Sequence, residues 1–340
     1  MKKTLFLLSY LLFYHLAFSQ TFRVGSIDIY GNRKILADTV LVHLSVKEGD
    51  SIDVSKFLSK AEAEKLKRIA GVKHATVNPV CCNTDGNLML YIGIGENDSV
   101  LLKYRDAPAQ NVRLSGGMMS AYQNLNKLIQ TAVKAGQGTE DDSPGYALSN
   151  YLPARKEQLK FITFANQNFS LLATVLRNSK YTEHRAAAAE IIAYSSNRKK
   201  VVDHLFSATD DPDEEVRNNA TRALGILAGY IRLHPKLNIT IPAKPFIRML
   251  NSIVWTDRNK GAGVLMHLTE NRNSILLNKL KQKAMPSIIE MAKWKSREHA
   301  FFSFIILGRI AGSDEQSLIS KNSSKEWRSE IDKMVGKCCR

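Results

Sequence analysis

The sequence predicts an α+β N-terminal domain of β-α-α-β-β order followed by an all-α solenoid of paired helices. Three observations carry that prediction. Apolar residues alternate over 24–29 and 88–94, the period of a strand, whereas after residue 180 they recur every three to four residues in four similar segments. The formal charge of +16 is unevenly spread: residues 20–100 hold ten Lys and Arg against ten Asp and Glu, while residues 151–340 hold 31 against 18. Two parts of different construction therefore share the chain.

At the N-terminus Lys2 and Lys3 precede an apolar run over 5–18, and Ala17, Phe18 and Ser19 offer a small-x-small exit. This reads as a secretory signal over 1–19, shorter than the ~20 residues a spanning helix needs. An uncleaved membrane anchor is the alternative. The signal implies an exported, periplasmic protein near the outer membrane, where cysteines oxidise. The four cysteines are the neighbours Cys81 and Cys82 and the neighbours Cys338 and Cys339. Neither pair has CxxC spacing, sequence neighbours rarely bridge each other, and a bridge between the pairs stays open.

In the first domain, the opening strand stops at Gly31 and Asn32, a pair that permits positive φ. Residues 37–44 read as a short helix and 47–51 as a polar turn. A second helix follows from residue 54, with Phe57, Leu58, Ala61, Leu66 and Ile69 keeping helical spacing up to Gly71. Residues 75–80 and 88–96 read as strands joined through 81–87, where Asp85 and Gly86 form the hairpin dipeptide.

This order resembles a POTRA domain over residues 20–98. The residues that carry the likeness are Ile27, Ile29, Gly31 and Asn32, then Thr39 and Val40, then Glu48, Gly49 and Asp50, then Leu66, Gly71 and Val72, and the closing strand to Glu96. The resemblance implies a domain that lends a sheet edge to another extended polypeptide. Ala75, Thr76, Val77 and Asn78 are the candidate edge, because an unpaired strand offers backbone donors and acceptors in register. Pro79 departs from an ideal edge because it lacks an N–H. An edge that binds nothing is the alternative.

Between the domains, over 99–150, residues 118–134 read as one helix with Tyr122, Leu125, Leu128, Ile129 and Ala132 on a face. Residues 136–150 read as a loop or linker holding the main domain boundary. From 151 to 335 a pair of helices recurs. The second helices are 183–195, 213–229, 257–270 and 297–312, with a small residue at Ala188, Ala220, Gly263 and Ser303. The first helices are 171–177, 201–209, 246–254 and 286–294, with insertions over 234–245 and 273–283 and a tail over 336–340. Thr182, Asp211, Thr256 and Ser296 are the expected N-caps.

Within the second pair, Val216, Ala220, Ala223, Leu224 and Leu227 form one apolar stripe. That segment, DPDEEVRNNATRALGILA over 211–228, resembles a HEAT repeat. The resemblance implies a stack in which no pair is stable alone, used as a binding scaffold whose ligand the family does not specify.

Arg185, Arg217, Lys260 and His299 fall near the starts of successive second helices. On a concave face they would form a column of donors for phosphate or carboxylate. The alternative is an Arg-acid ladder between repeats using Glu183, Asp213 and Asp257. A second basic concentration over 272–297 sets Lys279, Lys281, Lys283, Lys293 and Lys295 against the acid Glu290.

No HExxH, GxSxG or GxxxxGK[ST] pattern occurs, so no catalytic centre, metal or cofactor is expected. The expected function is a noncatalytic envelope scaffold or adaptor binding other proteins or extended polypeptides through the sheet edge and the helical surface. The alternatives are a basic stack that binds anionic lipid, polysaccharide or nucleic acid, and an enzyme assembled from scattered residues. Nucleic acid and a small-molecule substrate are the least expected partners.

Overall fold

The computed structural model describes residues 21–54, 56–99, 101–323 and 326–338; the expected signal over 1–19 and Cys339 lie outside these. The first unit comprises β1 (Thr21–Tyr30), α1 (Ala37–Leu41), β2 (Ser51–Asp53), α2 (Ser59–Leu66), β3 (Val72–Val80) and β4 (Leu88–Glu96). Its sheet runs in the order β2-β1-β4-β3, with β1 parallel to β4 and the other pairs antiparallel. The element order is thus β-α-β-α-β-β. Strand β2 escapes a periodicity reading because it spans three residues, of which only Ile52 is buried.

Strand β4 is buried along all nine residues. One face, with Leu88, Leu90, Ile92 and Ile94, packs with Val40 of α1 and Leu66 of α2. The opposite face places Met89 and Tyr91, with Tyr30 of β1, in the core of the helical part. A sheet buried on both faces explains why LMLYIGIGE reads as a nearly continuous apolar run.

The helical part begins with α3 (Gly116–Lys134), the hairpin of β5 (Glu140–Asp141) and β6 (Leu148–Ser149), and α4 (Leu152–Gln167). Four pairs follow: α5 (Phe169–Asn178) with α6 (Thr182–Ile192), α7 (Arg198–Ala208) with α8 (Glu214–Leu233), α9 (Lys244–Met249) with α10 (Trp255–Leu268), and α11 (Ser274–Ala292) with α12 (Arg297–Ile310). Helices α13 (Glu315–Ser323) and α14 (Trp327–Cys338) close the stack. Helices α6, α8, α10 and α12 pack in succession as one layer, and α5 on α7 and α9 on α11 form the second. None of the described helices is long and apolar enough to cross a membrane.

Several local expectations change. Residues 273–283 are not an insertion: α11 starts at Ser274 and runs through Pro286, because Leu280, Ala284, Ile288 and Met291 continue one buried stripe across the proline. The expected tail is the end of α14, where Cys338 is buried. The side-chain caps of α8 and α12 are Asp213 and Ser296, while Tyr181 and Val254 precede α6 and α10 without capping side chains. Asp211 is two residues too early to cap α8, and its carboxylate is engaged elsewhere. Cys81 and Cys82 are joined to each other by a disulfide, against the expectation for neighbours.

The two units meet on one carbonyl. Ile253 O accepts from Tyr30 Oη at 2.8 Å and from Thr76 Oγ1 at 2.6 Å. A Cβ on Gly93 would collide with the same carbonyl, so only glycine lets the backbones approach this closely. Tyr91 stacks on Trp255 with centroids 5.2 Å apart and lies 5.0 Å from the Trp294 ring. Asp28 accepts the Lys295 backbone N–H at 3.0 and 3.1 Å, and ion pairs join Arg33 to Glu290 and Lys295 to Glu48.

Two outcomes follow from this contact. Gly93→Ala forces β4 off Ile253 and costs about 1–3 kcal/mol by overpacking, read as a lower melting temperature and faster proteolytic cleavage between the units. The second concerns Asp28. Burial raises its carboxyl to about 6, against the opposing pull of the Lys295 N–H and ammonium and the Arg328 charge and with reinforcement from Glu48. The folded pKa lies above the unfolded one, so the buried charge destabilises at neutral pH and the penalty fades as pH falls through about 6. Asp28→Asn keeps a carbonyl acceptor for Lys295 and should stabilise the protein at about pH 7 with little effect near pH 4. A pH series of melting temperatures with equal wild-type and variant slopes would reject this account.

Candidate functional site

Arg185, Arg217 and Arg258 are each the fourth residue of their helix, α6, α8 and α10, and each is at most 2% exposed. Each guanidinium reaches back to the carbonyl six residues earlier. Arg185 Nη1 donates to Ser179 O at 2.9 Å, Arg217 Nη1 to Asp211 O at 2.9 Å, and Arg258 Nε to Ser252 O. Ser179, Asp211 and Ser252 in turn accept, through their side chains, the backbone N–H two residues on. One small polar residue thus shapes the turn and aims its own carbonyl at the arginine.

Each arginine also reaches forward to an acid of the following pair. Arg185 makes a two-pronged contact with Asp211 at 2.9 Å for both bonds, Arg217 does so with Asp257 at 2.8 and 3.0 Å, and Arg258 reaches Glu290 at 2.8 Å. The rungs form an Arg-carboxylate ladder through consecutive repeats. Of the acids considered from sequence, Asp257 is in it; Asp213 caps α8 instead, and Asp211 takes the place assigned there. The residue in register with Arg185 and Arg217 is Arg258 rather than Lys260. The recurring signal is a Ser or Asp six residues before an Arg, at 179 and 185, 211 and 217, and 252 and 258.

This placement disperses the expected anion-binding column. Arg185 and Arg217 point inward and already bond to Asp211 and Asp257, so they present no donors to an outside anion. Lys260 is half-buried beside Arg222, and burial followed by Arg222 repulsion holds its ammonium down to about 8. His299 shares a 2.6 Å hydrogen bond with Tyr91 Oη, and burial, with Lys260 nearby, depresses its imidazole to about 4. It is therefore neutral at ordinary pH and serves the contact between the units.

The segment over 99–150 is no free linker. Residues 101–115 run extended along the turns of the stack: Arg105 N–H donates to Asp210 O at 3.0 Å, Gln110 N–H to Asn178 O at 3.0 Å, and Lys180 N–H to Gln110 O at 2.8 Å. Arg105 Nη2 adds a second cation to Asp211 at 2.6 Å, and Tyr104 lies over Arg217 at 3.8 Å while its hydroxyl donates to Asp257 at 2.7 Å. The β5–β6 hairpin lies against α8 and the N-terminal end of α7. Glu140 pairs with Arg222, and Pro144 O accepts from Arg198 at 2.6 Å. Cavities of about 220 and 240 Å³ remain beneath it.

At the sheet, β3 is a terminal strand. Ala75 and Val77 are buried towards the helices of the first unit, whereas Thr76 and Asn78 lie on the opposite face, with Thr76 bonded to Ile253 O and Asn78 Nδ2 3.4 Å from Tyr91 O. Lys73 and Pro79 are exposed, and among the described residues no strand pairs with the outer side of β3.

Removing one partner of a buried pair leaves the other charge uncompensated, so Asp211→Ala should cost roughly 3–5 kcal/mol in urea denaturation. Combining Asp211→Leu with Arg185→Met should recover a large part of that loss. A double variant as unstable as Asp211→Ala would show that the turn bond to Asp213 or the contact with Arg105, and not the Arg185 pair, carries the loss.

A family model described as HEAT repeats matches residues 169–237, the span from α5 to the turn after α8 that contains the first two ladder arginines. No curated protein matches the sequence. Similar solved structures include a computationally designed armadillo repeat protein for modular peptide recognition, at 15% identity and a TM-score of 0.38, covering 65% of this chain and 99% of that one. A designed armadillo repeat protein in complex with the peptide (KR)4 is 14% identical with a TM-score of 0.38 and the same coverage. Residues 169–237 are accordingly similar to HEAT repeats.

Proposed function

We propose that the protein is a noncatalytic scaffold of the bacterial envelope that holds an extended polypeptide on the β3 edge, with the helical stack as a rigid mount. The observation that carries this reading is the contrast between two surfaces. Within the layer of second helices α8 carries the chain's own β5–β6 hairpin, whereas β3 keeps an unpaired outer side. An open edge supplies main-chain hydrogen bonds with little demand on partner sequence. The POTRA-like order of the first unit supports the same use, with β2 as an addition on the far side of the sheet. The secretory signal over 1–19 supports an exported, periplasmic location.

Exchange of backbone amides tests the reading. Adding a soluble β-strand-forming peptide to the mature chain should slow deuterium uptake across residues 72–80 and leave β2, at the opposite edge, unchanged. Pro79→Ala, which restores an N–H to the strand at an exposed position, should strengthen the effect while leaving the melting temperature within a few degrees. Protection confined to the helices, or none at β3, would refute the proposal.

A further inference from the structure

We infer that the groove between α5, α7 and α9 binds a linear acidic peptide bearing an apolar side chain. This site is separate from the β3 edge and does not depend on it. The groove has a volume of about 570 Å³, within the ~300–1,000 Å³ usual for ligand sites. Exposed Arg177 stands at the end of α5, and exposed Lys244 and Arg248 stand on α9. None of the three forms an ion pair with another described residue, and Arg248 makes a single 2.8 Å bond to Lys103 O. Asp210 is the one acid on the lining, and Leu102, Phe206 and Pro242 supply apolar surface. Three cations without acid partners converge on one partly apolar groove, an arrangement that a ligand's carboxylates and apolar side chain would complete.

Three features favour a peptide. The rim already accommodates an extended chain, since residues 101–115 exchange backbone hydrogen bonds with the turns at Asn178, Lys180 and Asp210. No glycine lines the groove, so there is no nest of close backbone N–H groups to enfold a phosphate. Tyr104, the other aromatic on the lining, has its ring covered by Arg217 at 3.8 Å, which removes that face as a platform for a nucleobase.

Fluorescence anisotropy on the mature chain decides the matter, using a labelled nine-residue peptide of alternating Glu and Phe. The peptide should bind, and its Lys-for-Glu counterpart should not. Arg177→Glu combined with Lys244→Glu should weaken binding at least about tenfold, with an unchanged melting temperature. Ser207→Trp, which fills the exposed mouth without altering charge, should weaken it similarly and serves as the decisive variant if the reversal unfolds. Lys279→Glu with Lys281→Glu, on the exposed surface of α11, should leave affinity as it was. Equal loss in that control, no loss in the groove variants, or displacement of the peptide by phosphatidylglycerol vesicles independently of Ser207→Trp would overturn the inference. In each of these outcomes amide protection at β3 still reports separately on the sheet edge.

Discussion

The stack depends on three buried guanidiniums finding carboxylates that belong to the next helix pair. A cation taken out of water is tolerable only when its donors are matched, so Arg185, Arg217 and Arg258 make each repeat incomplete without its successor. Apolar burial is non-directional, so by itself it sets the register between neighbouring pairs less sharply than a directed bond does. A two-pronged Arg-carboxylate contact does not slide. The ladder arginines lie 32 and 41 residues apart in sequence, yet each remains the fourth residue of its helix. Loop length varies freely because the rung, rather than the repeat length, sets the register.

The same rungs organise the parts of the chain that do not repeat. Tyr104 covers Arg217, Arg105 shares Asp211 with Arg185, and Tyr30 of the sheet lies 4.6 Å from the Arg258 guanidinium. A buried arginine keeps an attractive face after its edge donors are satisfied, and an aromatic ring fits that face. The extended segment and the α/β unit therefore occupy successive rungs of one structure. With Tyr30 held at the third rung and Gly93 against Ile253, β4 is enclosed between its own helices and the stack. The sheet is left with β2 and β3 as its edges.

Sequence legibility divides along the same line. The four second helices and the strands β1, β3 and β4 are readable, since each buries a face through at least two periods of its pattern. Strand β2 is too short for a pattern, and α11 hides behind Pro286. The candidate site is less legible. Arg185 and Arg217 are visible as a recurring cation, but whether an arginine faces solvent or an acid depends on contacts across 26 and 40 residues, which no local pattern encodes. Placing Lys260 in the third rung follows from starting that helix at Asp257; starting it at Trp255 brings Arg258 into place. The preceding Ser or Asp was the available clue, because a turn residue that offers both a side-chain acceptor and a carbonyl tells where the arginine must reach.

The seat of the β5–β6 hairpin on α8 bears on where a partner could act. The β5–β6 hairpin is held by Glu140 on Arg222 and by Arg198 on Pro144 O, with Gly145, at φ +80°, lying flat on the Tyr230 ring. Several anchors must be broken together to lift the hairpin off α8, which makes its displacement by a partner costly. The rim is different, because its turns are held from within by the ladder while exposed cations such as Arg177 and Lys244 face outward. A surface whose backbone is fixed by buried bonds can bind without first being ordered, and so retains more of its contact energy as affinity. The interior charges and the exterior ones are therefore parts of a single arrangement: matching the first set makes the stack rigid, and that rigidity makes the unmatched second set available for recognition.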